Sequence, residues 1–112
     1  MDRSFLRGPF RLNDDVIDRE VAPYRPGVFV LGGSGTSTLP DARVGRSDIN
    51  VNNQLHVYVD SYSYFSFEYC ASARDAFEAE CRLFHEVKPH DNVVHPARPS
   101  GATWKCPGCG LL

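Results

Sequence analysis

This chain has no apolar run long enough to cross a membrane, no internal repeat, no low-complexity tract and no surplus of basic residues. Without roughly 20 consecutive apolar residues no segment forms a spanning helix, so no membrane partner is expected. Without a repeat period a solenoid is excluded. The formal net charge is −2, so bulk charge offers nothing to nucleic-acid phosphates, and any such partner must be met by local residues. The opening Met1-Asp2-Arg3-Ser4-Phe5 carries no signal-peptide pattern. Cysteines number only four, and two of them sit in a metal-type knuckle, which favours reduced thiols and a cytoplasmic location.

What is present fits one small domain. The 112 residues are 42% hydrophobic and 23% charged, an ordinary globular balance at a length where a structural metal compensates for a modest core. The first 26 residues mix charge and proline around a short helical possibility at Asp14 to Val21 and read as an arm packed on the domain. Gly27 to Gly32 is a dense apolar run that ends in glycine and serine, which predicts a strand and a turn. A second strand over Ala42 to Gly45 completes a hairpin. Ser47, Asp48 or Asn50 then caps a helix whose apolar positions Val51, Leu55 and Tyr58 or Val59 recur at helical spacing. The aromatic stretch Tyr62 to Tyr69 predicts a buried strand rather than a stacking platform. Ser72, with Asp75 three residues on, caps a helix over Arg74 to Val87 that Pro89 ends. The order is strand, strand, helix, strand, helix and irregular tail, a small α+β domain.

The tail carries the clearest chemistry. In Trp104-Lys105-Cys106-Pro107-Gly108-Cys109-Gly110 two cysteines separated by two residues can aim both sulfurs at one ion. Cys81 and His85, at i and i+4 on one helix face, supply the other pair. Four such ligands suit structural zinc, with Cys81, His85, Cys106 and Cys109 as the preferred set. His90 and His95 lie nearer the knuckle in sequence, and a set using His95 stays open. Trp104 is expected to cover the site, and Cys70 to be a small buried hydrophobe. Glu80 falls between Phe77 and Phe84 on the apolar face of the same helix. A carboxylate there needs a cation, whether a metal or an arginine.

The order and separation of these segments resemble the GIY-YIG nuclease family. Gly27-Val28-Phe29 stands at the first family tripeptide and Arg43-Val44-Gly45 at the second. Gly45 to Leu55 resembles the glycine-led approach to the family's first helix. Ala76 to Phe84, followed by Lys88-Pro89-His90-Asp91-Asn92, resembles the helix and turn that present its metal-binding glutamate and its asparagine. The resemblance covers about residues 27–92, with 1–26 as an arm and 93–112 as a zinc-binding tail packed on the same domain. It implies a three-stranded sheet with flanking helices, ββαβα, and an endonuclease acting on DNA phosphodiesters.

It further implies that Glu80 binds catalytic Mg²⁺ or Mn²⁺, which polarises the scissile phosphate. Asn92 would hold the local geometry through its amide, and Tyr58 would sit near the nucleophilic water. Three positions depart from the pattern. Phe29 lacks the family tyrosine's hydroxyl, and Arg43 replaces a tyrosine with a permanently charged group. Gln54 replaces the arginine that neutralises the phosphate, a loss on the order of 3 kcal/mol of transition-state stabilisation. Arg43 or Arg46 is the candidate substitute for that charge. These departures leave open a catalytically impaired enzyme, a non-catalytic zinc-stabilised module that binds nucleic acid or protein, or a subunit of a larger assembly. They leave the oligomeric state undetermined.

Overall fold

The structure is a computed structural model and describes residues 6–33, 43–89, 91–92 and 95–107. Its elements run β1 (Arg7–Arg11), α1 (Asp14–Glu20), β2 (Gly27–Gly32), β3 (Arg43–Ser47), α2 (Val51–His56), β4 (Tyr64–Tyr69) and α3 (Ala73–Val87). The four strands form one antiparallel sheet in the order β1-β4-β2-β3. The fold is α+β, as expected, but the sheet has four strands where three were expected. The added strand comes from the arm. Its sequence hides it, because Gly8 and Pro9 interrupt any alternation and the register with β4 shifts between Arg7 and Phe10. An edge strand tolerates a proline, since the missing N–H faces no partner.

Central β2 is buried along its whole length because both faces are covered. Phe29 and Leu31 join Phe65, Phe67, Val51, Leu55 and Ile17 in a core beneath α1 and α2. Val28 and Val30 join Val44 and Leu83 beneath α3. This is the period-2 alternation of a strand with apolar residues on both faces. Gly45 is required at its position, because a β-carbon there would come within 2.4 Å of the Phe29 ring.

Local capping sets the helix starts. The Asn13, Asn50 and Ser72 side chains accept from Val16, Asn53 and Asp75 N–H, respectively. At its other end α3 closes on Lys88, whose left-handed φ of 51° and N–H bond to the Phe84 carbonyl stop the helix before Pro89. The helix buries Ala76, Phe77, Glu80, Cys81 and Leu83, so its single buried face carries a carboxylate and a thiol among apolar groups. Among the described residues no helix is long and apolar enough to cross a membrane.

Candidate functional site

Two clusters meet on α3. The first is a metal-type cluster of Cys81, His95 and Cys106, whose ligand atoms all lie within 4.8 Å of one another. Both cysteines are fully buried, and they pack with Phe77 under Trp104, whose ring centroid is 6.0 Å from that of Phe77. The indole therefore covers the thiols. Burial, then the neighbouring Cys106, pushes the Cys81 thiol far above its ordinary value. A divalent cation reverses that preference, because the thiolate is the ligand.

His95 Nδ1 lies 2.9 Å from the Pro96 carbonyl oxygen, which can only accept, so Nδ1 carries the proton in that bond and the Nε2 lone pair is the one a metal would take. His85 does not join the two cysteines. Its Nε2 lies 3.2 Å from His95 Nε2, and the Phe84 ring packs edge-on against both imidazoles. The group present among the described residues is thus the one using His95. Cys109 and His90 lie outside the described residues. Cys70, expected to be buried, is half-buried, and burial pushes its thiol up to about 11.

The second cluster surrounds Glu80, which is 8% exposed. Arg46 Nη1 donates to Glu80 Oε1 at 2.6 Å, its Nε donates to Asp48 Oδ1 at 2.8 Å, and its Nη2 donates to the Ala97 carbonyl at 2.6 Å. The guanidinium also lies 5.2 Å from the Phe77 ring centroid. Burial raises the Glu80 carboxyl above its ordinary value, and Arg46 opposes that rise. The cation that a carboxylate on this face requires is therefore Arg46. Strand β3 supplies it, and a tail carbonyl two residues beyond His95 holds it in place.

At the other end of β3, Arg43 Nε donates to the Tyr62 hydroxyl at 3.1 Å and Nη2 donates to the Asp91 carbonyl at 3.1 Å. Tyr62 in turn donates to Asp91 Oδ2 at 2.6 Å. Burial, then Asp91, raises the Tyr62 hydroxyl above its ordinary value, with Arg43 opposing. Asn92 clamps the strand edge: its Oδ1 accepts from Val44 N–H at 2.8 Å, and its Nδ2 donates to the Val44 carbonyl at 2.9 Å. Tyr58 packs between Phe29 and Tyr62, at centroid distances of 5.8 and 6.1 Å, with the Arg43 guanidinium 5.6 Å from its ring. Gln54 lies half-buried on α2, and Phe29 is in the core.

Strand β3 therefore gathers Arg43, Arg46, Glu80 and Asn92, with Tyr58 joined through Arg43. Sequence reasoning missed Tyr62, Asp91 and Asp48 as partners. Tyr62 was hidden in an aromatic run, and Asp91 was shadowed by Asn92. It also missed a staple between α1 and α2, in which His56 reaches Asp14 through Nδ1 at 2.5 Å and Asp18 through Nε2 at 2.9 Å. Comparison with known proteins finds no matching family model, no matching curated protein and no matching solved structure.

Proposed function

We propose that this chain is a zinc-stapled, nucleic-acid-binding module on a GIY-YIG-like core, in which Arg46 takes the cation position at the family's catalytic carboxylate. The buried Arg46–Glu80 ion pair carries this reading. Mg²⁺ keeps several of its own waters and near-octahedral geometry. A carboxylate only 8% exposed, with one oxygen already 2.6 Å from a guanidinium, offers little of that room. The residues around Glu80 do not fit a divalent cation as arranged.

Zinc fits its cluster by the chemistry of the donors. Two buried thiols and an imidazole with its Nδ1 proton already directed to a carbonyl suit a closed tetrahedral site. Cys109 completes the knuckle in sequence. Bound there, zinc supplies folding energy by tying the tail to α3.

A second reading, a working endonuclease, is favoured by one observation. The Arg43–Tyr62–Asp91 array returns a phenol and a guanidinium to a site whose family tyrosines and arginine are replaced. One experiment separates the two. Purified zinc-loaded protein is incubated with supercoiled plasmid in Mg²⁺, in Mn²⁺ and in neither, beside Glu80→Ala, while binding to labelled oligonucleotides is measured without divalent metal. The module reading expects binding without Mg²⁺ or Mn²⁺ and no nicking. Metal-dependent nicking that disappears in Glu80→Ala establishes the enzyme instead.

A further inference from the structure

The turn Pro23-Tyr24-Arg25-Pro26 presents Tyr24 in an unusual way. The residue is 83% exposed, the most exposed of the large hydrophobic residues described, and its backbone has a φ of 61°. A bulky residue adopts that conformation only where its surroundings impose it, and such outliers concentrate at functional sites. Here the constraints are explicit. Ala22 N–H donates to the Tyr69 hydroxyl at 2.8 Å, the Arg25 carbonyl accepts from Val51 N–H at 2.8 Å, and the Pro26 carbonyl accepts from Cys70 N–H at 2.8 Å. The turn is thus tied to β4, α2 and the segment after β4, yet the ring it carries is left in solvent.

Arg25 follows it directly in the turn, and two guanidiniums share the ring of Tyr69, whose hydroxyl accepts from Ala22 N–H at the start of the same segment. The Arg25 guanidinium lies 3.8 Å from the Tyr69 ring centroid, and Arg7 lies 5.0 Å from the same centroid. The Arg7 side chain is 55% exposed, and its carboxylate neighbour, Glu68, is 3.5 Å away. Ile49, 77% exposed, precedes Asn50 and Val51 in the loop that the Arg25 hydrogen bond joins to this turn. That loop also holds Asp48, a partner of Arg46.

We infer that this surface binds single-stranded nucleic acid, with an unpaired base stacked on Tyr24 and the adjoining phosphates met by Arg25 and Arg7. An exposed ring next in sequence to one arginine, with a second arginine on the same Tyr69 ring, offers the stacking face and the cations that strand binding uses, since every base has a π-face and every linkage a charge. A continuous duplex hides its base faces, so the surface selects the unpaired strand. The inference rests on the nucleic-acid reading above and specifies the form of the strand.

The test is fluorescence anisotropy with a labelled oligothymidylate and a matched duplex, without divalent metal, at several salt concentrations. The expected result is preference for the single strand, a roughly tenfold loss in Tyr24→Ala and near-retention in Tyr24→Phe. In Arg25→Ala the slope of log affinity against log salt should shrink by about 0.7. Tyr24→Gly is the decisive control. Glycine accepts a positive φ freely, so this variant should melt no lower than the parent while losing binding like the alanine variant. If the parent binds neither strand form, the nucleic-acid reading falls and this inference with it. If the parent binds but Tyr24→Ala and Arg25→Ala bind equally well, this inference alone is overturned.

Discussion

Replacing Arg46 by alanine removes the guanidinium that satisfies Glu80, Asp48 and the Ala97 carbonyl together. The cost follows from where the partners sit. The Arg46 and Glu80 side chains are 12% and 10% exposed, so the carboxylate left behind is not rescued by water, whereas Asp48, at 32%, rehydrates. Stranding one member of a buried pair costs about 3–5 kcal/mol. A domain of this size has a total stability on the order of 10 kcal/mol, so Arg46→Ala should lower the urea midpoint by roughly 40% at constant m-value. The companion variant Arg46→Met/Glu80→Leu removes both charges and should unfold within about 2 kcal/mol of the parent or above it. Equilibrium urea unfolding followed by circular dichroism reads both. A loss below about 1 kcal/mol in Arg46→Ala is the value of an exposed pair and refutes the argument that Glu80 depends on this arginine.

Cobalt substitution should give thiolate-to-metal charge-transfer absorption that Cys106→Ser and His95→Ala weaken or abolish and His85→Ala retains, since His95 and not His85 groups with the cysteines. Retention in His95→Ala with loss in His85→Ala would reverse the ligand assignment. The α1–α2 staple should shape stability against pH. Burial opposes charge on His56, but the hydrogen bonds it donates to Asp14 and Asp18 outweigh that and raise its pKa above 6.5. Stabilisation from His56 is therefore full below pH 6.5 and lost as pH rises through the higher folded value. Asp18 is held below 3.8, chiefly by its hydrogen bond to His56, so its share is present above pH 3.8 and lost on acidification. Thermal melts from pH 5 to 9 should show a decline on the alkaline side that His56→Ala abolishes, and an unchanged decline in that variant would count against the staple.

Much of the fold was legible because its signals are local. The runs at Gly27 to Gly32 and Tyr62 to Tyr69 read as strands from composition, the second forming Tyr64–Tyr69, and Ser72 read as a cap from its spacing to the next helix, while Asn50 was one of three candidate caps with Ser47 and Asp48. β1 was not legible, because Gly8 and Pro9 erase its alternation and only pairing with β4 makes it a strand. The same division runs through the sites. Cys81 and Cys106 were legible as candidate ligands because soft donors advertise themselves by type. The imidazole stayed open between the preferred His85 and His95, because i, i+4 spacing places His85 on the helix face of Cys81 but cannot say where the tail returns. That Glu80 requires a cation followed from Phe77 and Phe84 on either side of it. That Arg46 supplies it depends on the register of β3 against β2 and on the packing of α3 across them.

The tail explains why these features converge. Glu80 and Cys81 are consecutive on α3, and His95 and Ala97 are two residues apart in the tail. The metal-type cluster and the ion pair are therefore fastened to the same two segments at neighbouring points. Phe77 serves both, packing with Cys81 and Trp104 on one side and under the Arg46 guanidinium on the other. The described part of the tail, residues 95–107, forms no strand or helix of its own, so its position must come from side-chain chemistry of this kind. Arg46 then has a role that either cluster alone would not require. It reads the presence of the tail through the Ala97 carbonyl and the presence of the helix through Glu80, and it stays desolvated only while both are in place.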